Sequence, residues 1–162
     1  MSDLPALARR VMTLAGEKNL SFVTAESCTP GKLSALLSEA PGAAERLHGS
    51  FVTYTKANKT RALGVPAHLL AEKGAVCCEV AAAMAQGALF RSPADIAVSI
   101  TGVAGPDPDE DGNPVGRVCI GLARAGLARQ FEYDYGNPGR ETVQARAMED
   151  ALKLLIATIG AA

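Results

Sequence analysis

Between Val23 and Gly31 the chain reads Val-Thr-Ala-Glu-Ser-Cys-Thr-Pro-Gly, with four successive side chains, Glu26 to Thr29, that can donate, accept or attack. Ser27 is a hydroxyl that a neighbouring base could turn into a nucleophile toward an acyl carbon. Cys28 is a thiol whose pKa would fall at a helix N-terminus. Pro30 presets φ for a first helical turn, so Thr29 or Cys28 is expected to cap that helix. A loop that leaves a strand's carboxyl end for a helix N-terminus turns amides and a partial positive charge toward a ligand. Ser27 and Thr29 are therefore placed to touch an anionic or amide-bearing substrate. The plainer account is that Glu26, Ser27 and Thr29 merely cap a helix and satisfy loop backbone, since about 1 kcal/mol is enough to select Ser or Thr at a helix start.

A nucleophile needs a base. The only histidines are His48 and His68, both in ordinary polar surroundings, so a histidine-dependent triad is not supported. That leaves lysine. Lys59, at a helical start five residues after Tyr54, can serve if desolvation or nearby positive potential lowers its pKa toward neutrality. Thr101-Gly102-Val103-Ala104-Gly105-Pro106 follows an apolar run, and its glycines permit close backbone approach to a ligand. It is neither GxGxxG nor GxxxxGK[ST], so dinucleotide and nucleoside-triphosphate binding lack their usual signature. Arg140, near the start of the last helix, opposes the macrodipole and calls for an anionic partner, whether ligand, Glu141, Asp134 or solvent. Asp107-Pro-Asp-Glu-Asp-Gly112 opens like a calcium loop, but position twelve is Val118 where a bidentate Glu belongs, so a solvated acidic loop is expected and no metal. Cys28, Cys77, Cys78 and Cys119 show no CxxC spacing and read as small buried hydrophobes.

These residues must be positioned by alternating elements. Apolar residues from Leu4 to Ala15 recur at helical spacing within Ser2–Lys18; a strand is expected over 21–26, a helix over 31–39 ended by Pro41-Gly42, and a strand over 51–54. A helix then runs from Thr55 to about Leu63-Gly64, a short one from Pro66 to Leu70, and an alanine-rich one from Glu79 to Leu89. Ile96–Ile100 is almost continuously apolar, as a central strand covered on both faces should be. Strands near 115–124 and 129–134 flank a turn at Ala125-Gly126, and a last helix spans Arg140 to Ile159. Strands interleaved with helices and followed by a hairpin predict an α/β protein, a three-layer α/β/α single domain with a mixed sheet.

The 162 residues suffice for one well-buried core, because a domain of ~150 residues buries about 70% of its unfolded surface. A formal charge of −1 offers no basic field for nucleic acid or anionic membrane. The absence of a long apolar run or a leader-like start points to a cytoplasmic chain.

Taken together, TAESCTPG at 24–31, FVTYTKANK at 51–59, LGV at 63–65, GAVCCEVAAAMAQGA at 74–88, DIAVSITGVAGP at 95–106 and PVGRV at 114–118 resemble the C-terminal domain of the competence/damage-inducible protein CinA, in order and over nearly the whole chain. That family includes stand-alone nicotinamide mononucleotide deamidases. The resemblance implies an α/β/α domain, spanning 1–162 without the pyrophosphatase-type N-terminal domain of larger members. It also implies hydrolysis of the carboxamide of nicotinamide mononucleotide to nicotinic acid mononucleotide and ammonia, by a Ser/Lys mechanism without metal or cofactor. Its partner would be the pyridine mononucleotide, with no nucleic acid and no membrane, and a homo-oligomer is compatible. Tyr54, Lys59 and Ser27 match the family's catalytic segment; Thr29, Thr101, Gly102 and Gly105 match its binding loops; and Arg140 suits the substrate's phosphate. The chain departs from the pattern at Ala43-Ala44, where the serine resembling the family's nucleophile falls at Ala44, and at Cys77 and Gln144. Two readings follow. Either another group near Lys59 attacks, with Ser27 first and then Ser50, Cys28 and Cys77, or the chain is a catalytically impaired member that binds a nucleotide or a protein.

Overall fold

The structure, a computed structural model, describes residues 2–162. The chain runs α1 (Leu4–Lys18), β1 (Phe22–Glu26), α2 (Lys32–Ser38), α3 (Ala43–Arg46), β2 (Leu47–Val52), α4 (Lys56–Leu63), α5 (Ala67–Lys73) and α6 (Cys78–Phe90). It continues through β3 (Ile96–Gly102), β4 (Arg117–Arg124), β5 (Leu127–Asp134) and α7 (Arg140–Gly160). The five strands form one sheet in the order β2-β1-β3-β4-β5. β1 lies parallel to β2 and β3, whereas β4 and β5 run antiparallel, so the sheet is mixed. No helix is long and apolar enough to cross a membrane among the described residues.

Two cores lie on opposite faces of the sheet, as the strand alternation requires. Phe22, Ile96, Val98, Ile100, Ile120 and Leu122 pack under α1, α2 and α7 through Val11, Leu33, Leu37, Val143, Leu152 and Leu155. Val23, Ala25, Ala97 and Ala123 face α4, α5 and α6, meeting Leu63, Leu70, Val80 and Met84. The small residues on the second face let helices approach closely. A Cβ on Gly87 would lie 2.0 Å from the Leu63 carbonyl oxygen, and one on Gly121 2.2 Å from that of Ala81, so glycine sets the distance of α6 from both α4 and β4. β3, buried at every residue but Gly102, matches the continuous apolar run expected of a strand covered on both faces, and β1 is buried throughout.

Several boundaries differ from the sequence reading. β2 ends at Val52 and starts at Leu47, well before the expected 51–54, because it is an edge strand in which Leu47, Gly49 and Phe51 are half-buried while His48, Ser50 and Val52 face outward. Glycine and histidine within that alternation hide its strand character. The single turn α3 precedes it unannounced after Pro41-Gly42. α2 begins at Lys32 with Gly31 at its cap (φ 84°), leaving Pro30 outside the helix and neither Cys28 nor Thr29 as the cap. α5 extends to Lys73, closed by Gly74. The hairpin turn falls at Ala125-Gly126 as expected, with Gly126 at φ 75°.

Candidate active site

β1 and β3 are neighbours in register from Phe22↔Ile96 to Glu26↔Ile100, so the loops leaving their carboxyl ends emerge side by side. The connection from β1 goes outward to β2 under the α1–α2–α7 layer, and the chain returns to β3 through α4–α6 on the other face. Ligand crevices of open α/β sheets form at such a reversal. A cavity of about 630 Å³ opens there, lined among others by Ser27, Tyr54, Lys59, Thr101, Gly102 and Arg140.

Alternation along β1 decides which side chain meets which layer. Phe22, Thr24 and Glu26 face α2, so the next residue, Ser27, turns toward α4 and meets Lys59. Lys59 Nζ lies 2.9 Å from Ser27 Oγ, 2.9 Å from the Thr53 carbonyl oxygen and 3.4 Å from that of Tyr54. The Lys59 ammonium donates to all three acceptors; once it has lost a proton, the amine keeps two hydrogens for the carbonyls and can turn its lone pair to the Ser27 O–H. Lys59 is 1% exposed, and its only close partners are neutral. Burial above all, with a smaller contribution from the nearby charge of Lys56, lowers its pKa from 10.5 to about 8. The opposing influence needs a Cys28 thiolate, but burial pushes that thiol up to about 12, so near neutral pH it carries no charge.

Glu26 is the hub of this turn, and the capping account of the loop holds for it. Its fully buried carboxylate accepts from the backbone N–H groups of Leu33 and Ser34 at 3.0 Å each and from the hydroxyls of Thr29 (2.7 Å), Thr24 (3.2 Å) and Ser50 (3.3 Å). A charge at the end of a five-residue buried strand must be satisfied by such partners. The consequence for the site is direct. Glu26, not a ligand, occupies the N-terminus of α2, and Thr29 faces Glu26 away from the cavity. The expectation that Thr29 and the α2 amides meet substrate is corrected on this ground.

The remaining candidates divide. The Thr101 hydroxyl donates to the Ala75 carbonyl at 2.7 Å, tying the end of β3 to the loop before α6 while the residue lines the cavity. Gly102 leaves room for Val118 and the Arg117 carbonyl, which a Cβ would meet at 2.7 and 2.9 Å. Gly105, at φ 99°, accepts at its carbonyl from Arg140, 2.8 Å away. Arg140 thus joins the glycine loop to the first turn of α7 at the cavity wall. Tyr54 stands at the mouth, 60% exposed, and it reaches Lys59 through its carbonyl, which does not support a role for its phenol as proton relay. Ser50 belongs to the Glu26 network and Cys77 caps α6 with its thiol pKa raised by burial; neither lines the cavity. Ala44 is exposed on α3, ahead of β2, whereas Lys59 follows the carboxyl end of that strand. The length of β2 therefore separates Ala44 from Lys59, and the assignment of the nucleophile's place to Ala44 does not hold.

The acidic segment read as a solvated loop is a wall of the same cavity. Lys56 Nζ pairs with Asp111 (2.8 Å) and Glu110 (3.1 Å), and Asp109 accepts from the amides of Asp111 and Asn113. These carboxylates are directed at the protein's own donors. No group of three His, Cys, Asp or Glu side chains able to hold a metal occurs among the described residues.

Fold and site together define an α/β/α domain that holds a buried serine–lysine pair in a cavity at the carboxyl ends of its parallel strands. The family model of the CinA C-terminal domain matches residues 5–159, and the chain belongs to that family. It is 45% identical over 77% of its length to a putative competence-damage inducible protein of Symbiobacterium thermophilum, covering 29% of that protein, and 39% identical over 94% of its length to one of Caldicellulosiruptor bescii, covering 37%. The chain thus spans about a third of the length of these relatives. Among solved structures it resembles the competence/damage inducible protein CihA of Agrobacterium tumefaciens (TM-score 0.92, 40% identity, 97% of this chain and 96% of that one). It also resembles a CinA superfamily protein of Klebsiella pneumoniae (TM-score 0.95, 30% identity, 99% and 100%).

Proposed function

We propose that the domain is an amidohydrolase that converts nicotinamide mononucleotide to nicotinic acid mononucleotide and ammonia, with Ser27 as nucleophile and Lys59 as base. The observation that carries the reading is the 2.9 Å contact between Ser27 Oγ and a buried lysine whose pKa is lowered to about 8. A hydroxyl is a poor nucleophile at neutral pH unless a neutral base takes its proton, and Lys59 has the burial and the geometry of such a base. The carboxamide as substrate rests on family membership and on the resemblance of the sequence motifs to the deamidases.

In the proposed reaction Ser27 Oγ attacks the carboxamide carbon as its proton moves to Lys59 Nζ. The Gly102–Gly105 loop lines the cavity, and its Ala104 and Gly105 amides are the proposed donors for the oxyanion, that of Val103 being bonded to the Arg117 carbonyl. Collapse breaks the C–N bond as the Lys59 ammonium gives its proton to the departing nitrogen, which leaves as ammonia. A water then gives a proton to Lys59 and attacks the acyl ester, and Lys59 passes that proton to Ser27 Oγ as the acid product leaves. Arg140 is the cation available for the phosphate. The impaired-member reading rests on the departures at Ala43-Ala44, Cys77 and Gln144; with Ala44 on α3 and apart from Lys59, the Ser27–Lys59 contact supports the catalytic reading over it.

The test is ammonia release from nicotinamide mononucleotide by the purified protein. Ser27→Ala and Lys59→Ala should each lower kcat by at least ~10²-fold. Turnover that survives Ser27→Ala would sink the assignment of the nucleophile, and no turnover in the wild-type chain would sink the substrate.

A further inference from the structure

Gln144 is 2% exposed on α7, one helical turn after Arg140. Its Nε2 donates to the Cys28 carbonyl at 2.9 Å, and its Oε1 accepts from Lys32 Nζ at 2.7 Å. Arg140 on the same face donates to the Gly105 carbonyl. One edge of α7 therefore grips both loops that frame the cavity, the turn after β1 and the loop after β3. The turn after β1 has a second anchor: the Ser27 N–H donates to the Ile100 carbonyl at 2.9 Å. Between the Ser27 amide and the Cys28 carbonyl lies only the stretch of backbone that carries the Ser27 side chain.

We infer that Gln144 is a positioning residue for Ser27, holding the Cys28 carbonyl so that Ser27 Oγ stays within reach of Lys59 Nζ. The inference rests on the serine–lysine reading of the site, though not on the identity of the substrate. Its physical basis is that proton transfer needs the two atoms at ~3 Å. Displacement by ~1 Å costs on the order of 10²-fold in rate. With Gln144 unable to donate, the Ser27–Cys28 segment keeps its amide anchor alone, and the side chain samples positions out of line with the amine.

The carboxamide has two halves, and they can be separated. Gln144→Glu is isosteric and keeps the partner for Lys32, but it places a carboxylate against the Cys28 carbonyl. Gln144→Asn keeps a carboxamide on a shorter stem, and Lys32→Ala removes only the other partner. The readout is the rate at which a fluorophosphonate phosphonylates Ser27, followed by mass spectrometry. In that step Ser27 Oγ bonds to phosphorus, fluoride leaves and the proton goes to Lys59. Gln144→Glu should slow labelling at least ~10-fold with its pH midpoint still near that of wild type, because Lys59 is untouched, while Lys32→Ala labels at the wild-type rate. In turnover the same variant should lower kcat and leave KM unchanged. If Gln144→Glu unfolds, Gln144→Asn, with its shorter reach, should show the same slowing with a smaller amplitude. Labelling at the wild-type rate in whichever Gln144 variant folds overturns the inference, as does a rise in KM with kcat unchanged, which would make Gln144 a substrate contact. A wild-type Ser27 that is not labelled overturns it together with the activated serine; a labelled wild-type chain that does not release ammonia from nicotinamide mononucleotide overturns only the substrate.

Discussion

Burying Lys59 costs the fold stability, the counterpart of its lowered pKa. A pKa lowered from 10.5 to about 8 corresponds to about 3 kcal/mol held against the folded state near neutral pH. Between those two values the unfolded chain keeps the lysine proton and the folded chain has lost it, so stability should climb with pH through that window. Lys59→Met, similar in length and without charge, is accordingly expected to be inactive and yet more stable than wild type at pH 7, with the gap narrowing toward pH 10. Denaturant melts of both proteins at a series of pH values measure it, and a variant less stable at pH 7 by the same margin at every pH would contradict it. Activity has the matching dependence: kcat/KM should rise with pH to a plateau with a midpoint near 8, since only the neutral amine can accept the Ser27 proton. The contact between Ser27 and Lys59 was legible in the sequence because, with only two histidines in polar surroundings, Lys59 was the partner left for a hydroxyl. The roles of Thr29 and Tyr54 were not, because a hydroxyl in a loop announces capacity and not direction. Thr29 turned to Glu26, and Tyr54 contributed its carbonyl.

The elements that carry these residues are held by contacts that sequence patterns register only as composition. α4 carries Lys59, and its last residue Leu63 rests against the backbone of Gly87 on α6. Gly87→Ala places a methyl 2.0 Å from the Leu63 carbonyl oxygen, a distance that only separation of the helices can relieve. It should destabilise by about 1–3 kcal/mol. It should also lower kcat, because Lys59 lies one turn from Leu63; a thermal melt and a turnover assay check both, and a fully active, unshifted variant would show that α4 is not set by this contact. On the other face, Glu26→Gln turns an amide group toward donors that now share a carboxylate. With each buried donor left unsatisfied at about 1–3 kcal/mol, the melting temperature should fall by several degrees. The first helix and the central strand could be read from pattern, since Leu4 to Ala15 keep helical spacing and Ile96 to Ile100 is an almost continuous apolar run. The edge strand β2 could not, because Leu-His-Gly-Ser-Phe-Val has neither the apolar run of a buried strand nor a strong outward polar set.

For the molecule as a whole, the cavity draws one group from each layer: Ser27 from the sheet, Lys59 from the α4–α6 side and Arg140 from the α1–α2–α7 side. Strand order and this convergence lay beyond the sequence, because parallel strands joined by helices can be arranged in several ways and only packing selects β2-β1-β3-β4-β5. A ligand that touches all three layers stabilises the folded chain by mass action, about 2.7 kcal/mol at a hundredfold excess over Kd. If Arg140 holds the phosphate, nicotinamide mononucleotide should raise the melting temperature of the Ser27→Ala protein, which binds without turning over, more than the riboside without phosphate does at equal concentration. Arg140→Ala in that background should remove the difference between the two ligands and leave the riboside's smaller shift in place, since a guanidinium–phosphate contact is made by only one of them. The same substitution also frees the Gly105 carbonyl, so a loss of both shifts together would assign Arg140 to holding the glycine loop and not to the phosphate. Equal shifts by the two ligands before the substitution would place the phosphate outside the reach of Arg140 altogether.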